Sequence, residues 1–252
     1  MKSNASKAIA AILLLCTSAV VCADPLNIAV AASLQYVFKD LQAEFKKVSG
    51  QDVHASFNAS GKFAAQIMNG APFDVFLSAD VEFPAKLYEA GFAVEKPKVY
   101  AFGALVLWTM KNLDLRDWGR TVSAAGLGKI AVANPQTAPY GRATMTALSR
   151  AGLDAVVKDK LVFGESIAQT NQYIYSGVAD VGFTAESVVL SPELAGKGKW
   201  VALPRNAYEP IAQGVVILKH SQQANAALAR QFVDFLFSGA ARTILANAGY
   251  TQ

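Results

Sequence analysis

Two serines stand where short apolar runs give way to helical spacing. Ser33 follows Asn27–Ala31, a short β-compatible run. After it Leu34, Val37, Phe38, Leu41 and Phe45 recur at helical intervals. Ser60 follows the candidate strand Val53–Phe57 and precedes Phe63, Ala64, Ile67 and Met68, a second helical face. A strand-to-helix turn presents unpaired backbone N–H groups and the positive end of a helix dipole, and both suit an anion. A serine there is also an ordinary N-cap, and for either serine alone capping is the simpler reading.

The chemistry that the chain lacks narrows the choice. Its only cysteines are Cys16 and Cys22, and its only histidines are His54 and His220. Both cysteines fall in residues 1–23, which read as a secretory signal peptide. Lys2 and Lys7 precede the apolar run Ala8–Leu15, and Val21-Cys22-Ala23 fits a small-residue cleavage site, with cleavage after Ala23. Ala19-Val20-Val21 is a poor lipobox for attaching lipid at Cys22. The apolar run is too short to span a membrane. The mature chain then has no thiol for disulfides, catalysis or metal binding. Two histidines far apart give a metal site or a Ser-His-Asp triad almost no material. There is no Gly-x-Ser-x-Gly elbow, so a secreted hydrolase is disfavoured.

The 252 residues are 53% hydrophobic and 17% charged, enough apolar material for a large core. Loss of Lys2 and Lys7 leaves 21 basic against 19 acidic residues, so the mature charge is close to neutral and no nucleic-acid partner is expected.

Strands and helices alternate along the chain. Strand Asn27–Ala31 leads to helix Leu34–Val48, strand Val53–Phe57 to helix Lys62–Asn69, and strand Asp74–Ser78 to helix Phe83–Ala90. This is βαβ patterning, with a parallel sheet and right-handed crossovers. Phe102–Thr109 reads as one apolar strand of the core. A second unit follows: strand Lys129–Ala133, a helix over 141–151, strand Lys160–Phe163, helix Ser166–Tyr175 and strand Val181–Thr184. Strand Gly214–Leu218 and helix Ala224–Phe237 have no place in that unit and are expected to return to the first. The expected lobes are residues 24–102 plus 206–252 and residues 103–205. The chain would cross between them near 101–103 and 204–208, leaving a ligand cleft beyond the carboxyl ends of the strands.

Several segments carry a resemblance along the whole mature chain, from Leu26 to about Tyr250. They are Ala31-Ala-Ser-Leu34, Ala59-Ser-Gly-Lys62, Asn69-Gly-Ala-Pro-Phe-Asp-Val-Phe-Leu-Ser-Ala-Asp80, Asn134-Pro-Gln-Thr-Ala-Pro-Tyr-Gly141, Glu165-Ser-Ile-Ala-Gln169 and Tyr208-Glu-Pro-Ile211. The sequence resembles the periplasmic molybdate-binding proteins, the solute receptors of molybdate ABC transporters. The resemblance implies an α/β, two-lobed periplasmic-binding-protein fold of the class II type, each lobe a mostly parallel sheet flanked by helices. It implies a monomeric periplasmic receptor, not an enzyme, that delivers molybdate and tungstate to an inner-membrane permease. It implies no cofactor; molybdenum enters only within the bound oxyanion. By matching motif, the ligand contacts fall on Ser33 and Ser60 in the first lobe and on Tyr140 and Ile167 in the second. The last two would act through backbone N–H groups. Some family members add a tyrosine hydroxyl at the position that is Ala185 here, and Thr184 beside it is a candidate replacement.

In that motif order, two serine junctions and an Ala-Pro-Tyr-Gly turn favour ligand contacts over simple caps. Aligned peptide dipoles and charge-assisted hydrogen bonds offset the cost of burying a dianion. A cage of donors selects a fully ionised oxyanion, and its size would discriminate against the smaller sulfate but poorly between molybdate and tungstate. A receptor of the same fold for sulfate or phosphate is the alternative. Lys62 and Arg142, near the proposed turns, are expected to be solvated side chains. Asp74, Asp80 and Glu165 are expected to be caps or surface pairs rather than a carboxylate metal site.

Overall fold

The computed structural model describes residues 25–252. The signal-peptide reading, its cleavage site, Cys16 and Cys22 lie outside the described residues.

β1 (Leu26–Ala31) is buried along nearly its whole length, between β2 (Val53–Asn58) and β3 (Val75–Ser78), and pairs in parallel with both. Helices α1 (Val37–Ser49) and α2 (Ser60–Met68) make the crossovers, and α3 (Glu82–Glu89) follows β3. A strand covered on both faces is apolar over most of its length, which is why Leu26–Ala31, apart from Asn27 near its start, shows no alternation. β4 (Lys98–Gly103) completes this stretch.

The second lobe begins with β5 (Leu105–Thr109). It continues through α4 (Trp118–Ser123), β6 (Ile130–Ala133), α5 (Pro139–Arg150), α6 (Asp154–Val157), β7 (Leu161–Gly164), α7 (Ile167–Tyr175), β8 (Val181–Ala185), α8 (Glu186–Val189) and β9 (Lys199–Ala202). The chain then returns with β10 (Ile211–Ile217), α9 (Ala226–Leu236) and α10 (Gly239–Asn247). The two sheets run β2-β1-β3-β10-β4 and β7-β6-β8-β5-β9. In each sheet one strand opposes its neighbours, β10 in the first and β5 in the second. These are the strands that enter from the other lobe. They start at the crossover and run away from it, while the strands that precede the site-forming turns run toward the cleft.

Phe102–Thr109 is not one strand. It breaks at Ala104, where the chain leaves the first sheet for the second. The apolar run is continuous because both halves are buried, so hydrophobicity hides the break. The crossovers are tied together. Leu105 N donates to Tyr208 Oη at 3.1 Å, and Arg205 Nη1 donates to the Gly103 carbonyl at 3.1 Å.

The C-terminal segment packs on the first lobe through aromatic rings. Phe45 of α1 meets Phe232 of α9 edge-on with centroids 5.1 Å apart, and Phe235 at 5.4 Å. Such pairs add about 0.5–1.5 kcal/mol each beyond the area they bury. Among the described residues no helix is long and apolar enough to cross a membrane.

Candidate functional site

Ser33, Ser60, Tyr140 and Ile167 line one small cavity between the two sheets, each from a turn at the end of a different strand. The rest of the wall is Ala31, Ala32, Ala59, Ala79, Ala138 and Pro139. Among the described residues no charged side chain lines it. Small walls let backbone N–H groups approach whatever sits at the centre.

Each turn has its own local origin. Ser60 is the first residue of α2 and Ala59 is its N-cap. Ile167 is the first residue of α7, whose N-cap Ser166 accepts from Gln169 N, while Gln169 Oε1 accepts from Glu165 N at 2.7 Å. These near-reciprocal bonds occupy other N–H groups and leave that of Ile167 without an acceptor in its own helix. Tyr140 follows Pro139 at the start of α5, where proline has no N–H to satisfy. Gly141 is required by packing, because a Cβ there would stand 2.1 Å from the Ala133 carbonyl oxygen. The Ala-Pro-Tyr-Gly turn thus lies directly on the end of β6.

Ser33 departs from the expected N-cap. It lies inside a single 3-10 turn, Ala32–Leu34, and α1 proper starts only at Val37. Ser33 Oγ is fully enclosed and has no hydrogen-bond partner among the described residues. A buried polar atom left unpaired is costly and usually marks a ligand, water or functional role. Ser60 is not an N-cap either. Its Oγ accepts the Ala79 N–H instead of one from its own helix.

Thr184 does not face the cavity. Its hydroxyl donates to Asn171 Oδ1 at 2.5 Å, inside the second lobe. With Ala185 also absent from the wall, neither residue supplies a side-chain hydroxyl there.

Lys62 and Arg142 are not free solvated side chains. Lys62 pairs with Glu165, and Arg142 with Asp80 and Glu82, each across the gap between lobes. Arg142 also lies over the Phe83 ring, 5.2 Å from its centroid. The Lys62 ammonium holds the Glu165 carboxyl below its ordinary range, mainly through their hydrogen bond. Asp80 additionally accepts from Phe83 N at 3.2 Å, and Asp74 holds Asn27 N, Asn225 Nδ2 and His220. These carboxylates cap and pair. Among the described residues no cluster of three potential metal ligands occurs.

Tyrosines stand behind the cavity. Burial pushes the Tyr140 hydroxyl well above its usual range, with neighbouring tyrosines adding to the rise, and pushes Tyr250 up to about 12. They stay neutral and place no negative charge beside an anion. Tyr250 Oη contacts Ser187 Oγ at 3.1 Å, and both reach the Ser33 carbonyl, at 3.3 and 2.9 Å. This carbonyl is therefore held away from the cavity, facing α8. Nothing local in the sequence signals a contact between residues 33, 187 and 250.

Residues 26–251 match the model of a family described as bacterial extracellular solute-binding protein. The chain is 40% identical over 226 residues to the molybdate-binding protein ModA of Azotobacter vinelandii, covering 89% of this chain and 88% of that one. It is 39% identical over 223 residues to ModA of Rhodobacter capsulatus, covering 88% and 86%. Among solved structures, the Azotobacter vinelandii periplasmic molybdate-binding protein superposes with a TM-score of 0.82 at 34% identity, covering 90% of this chain and 99% of that one. The two-lobed fold is the fold that this chain shares with that molybdate-binding protein. The chain belongs to the bacterial extracellular solute-binding proteins.

Proposed function

We propose that this chain captures molybdate, and tungstate with it, in the periplasm and hands the anion to the membrane permease of an ABC transporter. The observation that carries this is a cavity between the lobes, walled by alanine and proline, whose other lining residues are Ser33, Ser60, Tyr140 and Ile167, all at turns that begin helices. This supports a reading in which their N–H groups and the two serine hydroxyls point to one anion. Such a wall offers partial positive charge from several directions and no counter-ion. It suits an anion that is fully ionised at neutral pH, because donors outnumber acceptors. Ser33 and Ser60 donate through hydroxyl and backbone, and Tyr140 and Ile167 through backbone alone. The relatives at about 40% identity support molybdate over sulfate as the cargo. The cargo is bound and released unchanged, by a monomer and without a cofactor. Among the described residues that line the cavity there is no carboxylate, imidazole, amine or thiol to act as acid or base or to activate either serine, and a receptor needs none. His54 is exposed on β2 and His220 is held by Asp74, so neither is placed to act on a bound anion.

Calorimetric titration of the mature protein with molybdate, tungstate and sulfate tests this. Molybdate and tungstate should each saturate one site with similar affinity, and sulfate should bind far more weakly. Sulfate binding as tight as molybdate binding would overturn the assignment and favour the alternative oxyanion.

A further inference from the structure

Gly61 sits between the donor Ser60 and the pairing residue Lys62 in the first turn of α2. Its N–H is one of those at a helix start that have no acceptor in their own helix. It donates to the Thr137 carbonyl in the opposite lobe, at 2.8 Å. Thr137 belongs to the turn that enters α5, held by Asn134, whose carbonyl accepts from Thr137 N and Ala138 N. One helix start thus offers neighbouring N–H groups to two different acceptors, the cavity at Ser60 and the other lobe at Gly61.

The backbone of Gly61 does not itself need glycine. Gly61 is not among the glycines with positive φ, and alanine is the better helix former at such a site. The requirement comes from across the gap. A Cβ on Gly61 would stand 2.9 Å from Thr137 Cα and 2.7 Å from Phe83 Cζ, whereas carbon atoms in contact sit about 3.5–4.0 Å apart. Phe83 is on the same lobe, and the far end of its ring can turn away. Thr137 Cα is backbone of the other lobe, and it yields only if the lobes move apart.

We propose that Gly61 sets the depth of lobe closure: its missing side chain lets the start of α2 seat against the Thr137 turn, and its N–H bonds across only in the closed form. The proposal rests on the anion-site reading given above. A methyl group at position 61 leaves every donor to the anion in place but keeps the donors of the two lobes from converging on one ion. The fraction of protein able to close falls, and apparent affinity falls with it. The loss should appear in the dissociation rate, since the open cleft still admits the anion.

The test uses four proteins: native, Gly61→Ala, Phe83→Ala and the double variant, each titrated with molybdate and measured by small-angle scattering with and without it. Gly61→Ala should fold with a ligand-free melting temperature at or above the native one. It should bind molybdate at least ten-fold more weakly, mainly through faster release, and should contract less on binding. The double variant should bind at least ten-fold more weakly than Phe83→Ala alone, because the Thr137 contact remains. Native affinity and native contraction in Gly61→Ala would overturn the proposal. So would affinity in the double variant equal to that of Phe83→Ala, which would place the whole conflict within one lobe. A native protein that takes up no molybdate would overturn the anion reading and this proposal together, whereas a native protein that binds and a Gly61→Ala protein that binds equally would overturn this proposal alone.

Discussion

Ser60 Oγ accepts the backbone N–H of Ala79 at 3.0 Å, just beyond the end of β3. A hydroxyl that accepts from the protein still has one proton to donate. Lining the cavity, Ser60 can give that proton to an anion without losing its structural bond. Ser33 Oγ has no such bond and nothing among the described residues to satisfy it. Two serines that look equivalent in sequence therefore serve the fold differently.

Ser33→Ala and Ser60→Ala should each weaken molybdate binding by about 1–3 kcal/mol, the range for a hydrogen bond to a charged group. That is roughly 5- to 150-fold in Kd. Their ligand-free stabilities should diverge. Ser60→Ala strands the buried Ala79 N–H and should lower the melting temperature. Ser33→Ala removes an unpaired hydroxyl and should leave it unchanged or raise it. Equal destabilisation of both variants in thermal melts would contradict the assigned roles.

Ser60→Asp separates folding from binding at one position. A carboxylate can still accept from Ala79 N, and negative charge is favoured in the first turn of a helix. The variant should fold. Its charge would stand where the dianion must sit, so titration should show binding lost. Near-native affinity in a folded Ser60→Asp protein would move the site elsewhere.

That Ser33, Ser60, Tyr140 and Ile167 stand at turns was legible because each lies where a strand pattern meets a helix pattern, a local signal. The boundary near Ser33 was not. Leu34, Val37, Phe38 and Leu41 do keep helical spacing, but a 3-10 turn at Ala32–Leu34 carries the first of them. β9 was missed because Lys199–Ala202 is a largely exposed edge strand, and α10 because only Ala241 and Leu245 of Gly239–Asn247 are buried. Lys62–Glu165 and Arg142–Asp80 were misread for a different reason. A sequence shows that a side chain is charged, but not that the facing lobe brings an opposite charge to it.

Arg142 should act on binding more than on folding. Its pairs with Asp80 and Glu82 join the lobes, and its side chain is 34% exposed. Partly exposed pairs contribute about 0.2–1 kcal/mol. Arg142→Ala should therefore weaken molybdate binding by up to about 5-fold, with little change in the ligand-free melting temperature. Added salt should weaken binding by the native protein more than binding by the variant. Identical salt dependence in the two would remove Arg142 from the closing contacts.

Glu186 should make stability depend on pH. Burial raises its carboxyl above the ordinary value, and attraction from Arg205 only partly opposes this. A raised acid stabilises the fold below its unfolded pKa and loses that contribution as pH rises through the folded value. At neutral pH the ionised group is a cost, so Glu186→Gln should melt higher than the native protein. The difference should shrink as pH falls toward the ordinary glutamate range. A gap that stays constant from neutral pH down through that range would show that burial of this charge is not its cause.

Tyr140 joins the cavity to the crossover between lobes. It lines the cavity wall, while its ring runs back to β4. A Cβ on Gly103 would stand 2.0 Å from Tyr140 Oη, 3.1 Å from its Cζ and 3.1 Å from Gln213 Nε2. Gly103 is the last residue of β4, one position before the chain changes sheets. Gly103→Ala should thus push the Tyr140 ring toward the cavity or the crossover open, costing about 1–3 kcal/mol as overpacking does. Tyr140→Phe keeps the backbone donor and removes the oxygen in closest conflict. Among the described residues its hydroxyl has the Tyr250 phenol as its one hydrogen-bonding neighbour and makes no well-formed bond, so the single variant should lose little stability. In the double variant at least half of the Gly103→Ala loss should return, in both melting temperature and molybdate affinity. A double variant that shows the sum of the two single losses would mean that the two positions are not coupled. Gly103 would then be required by the backbone of the crossover, and Tyr140 would carry no strain from hinge to site.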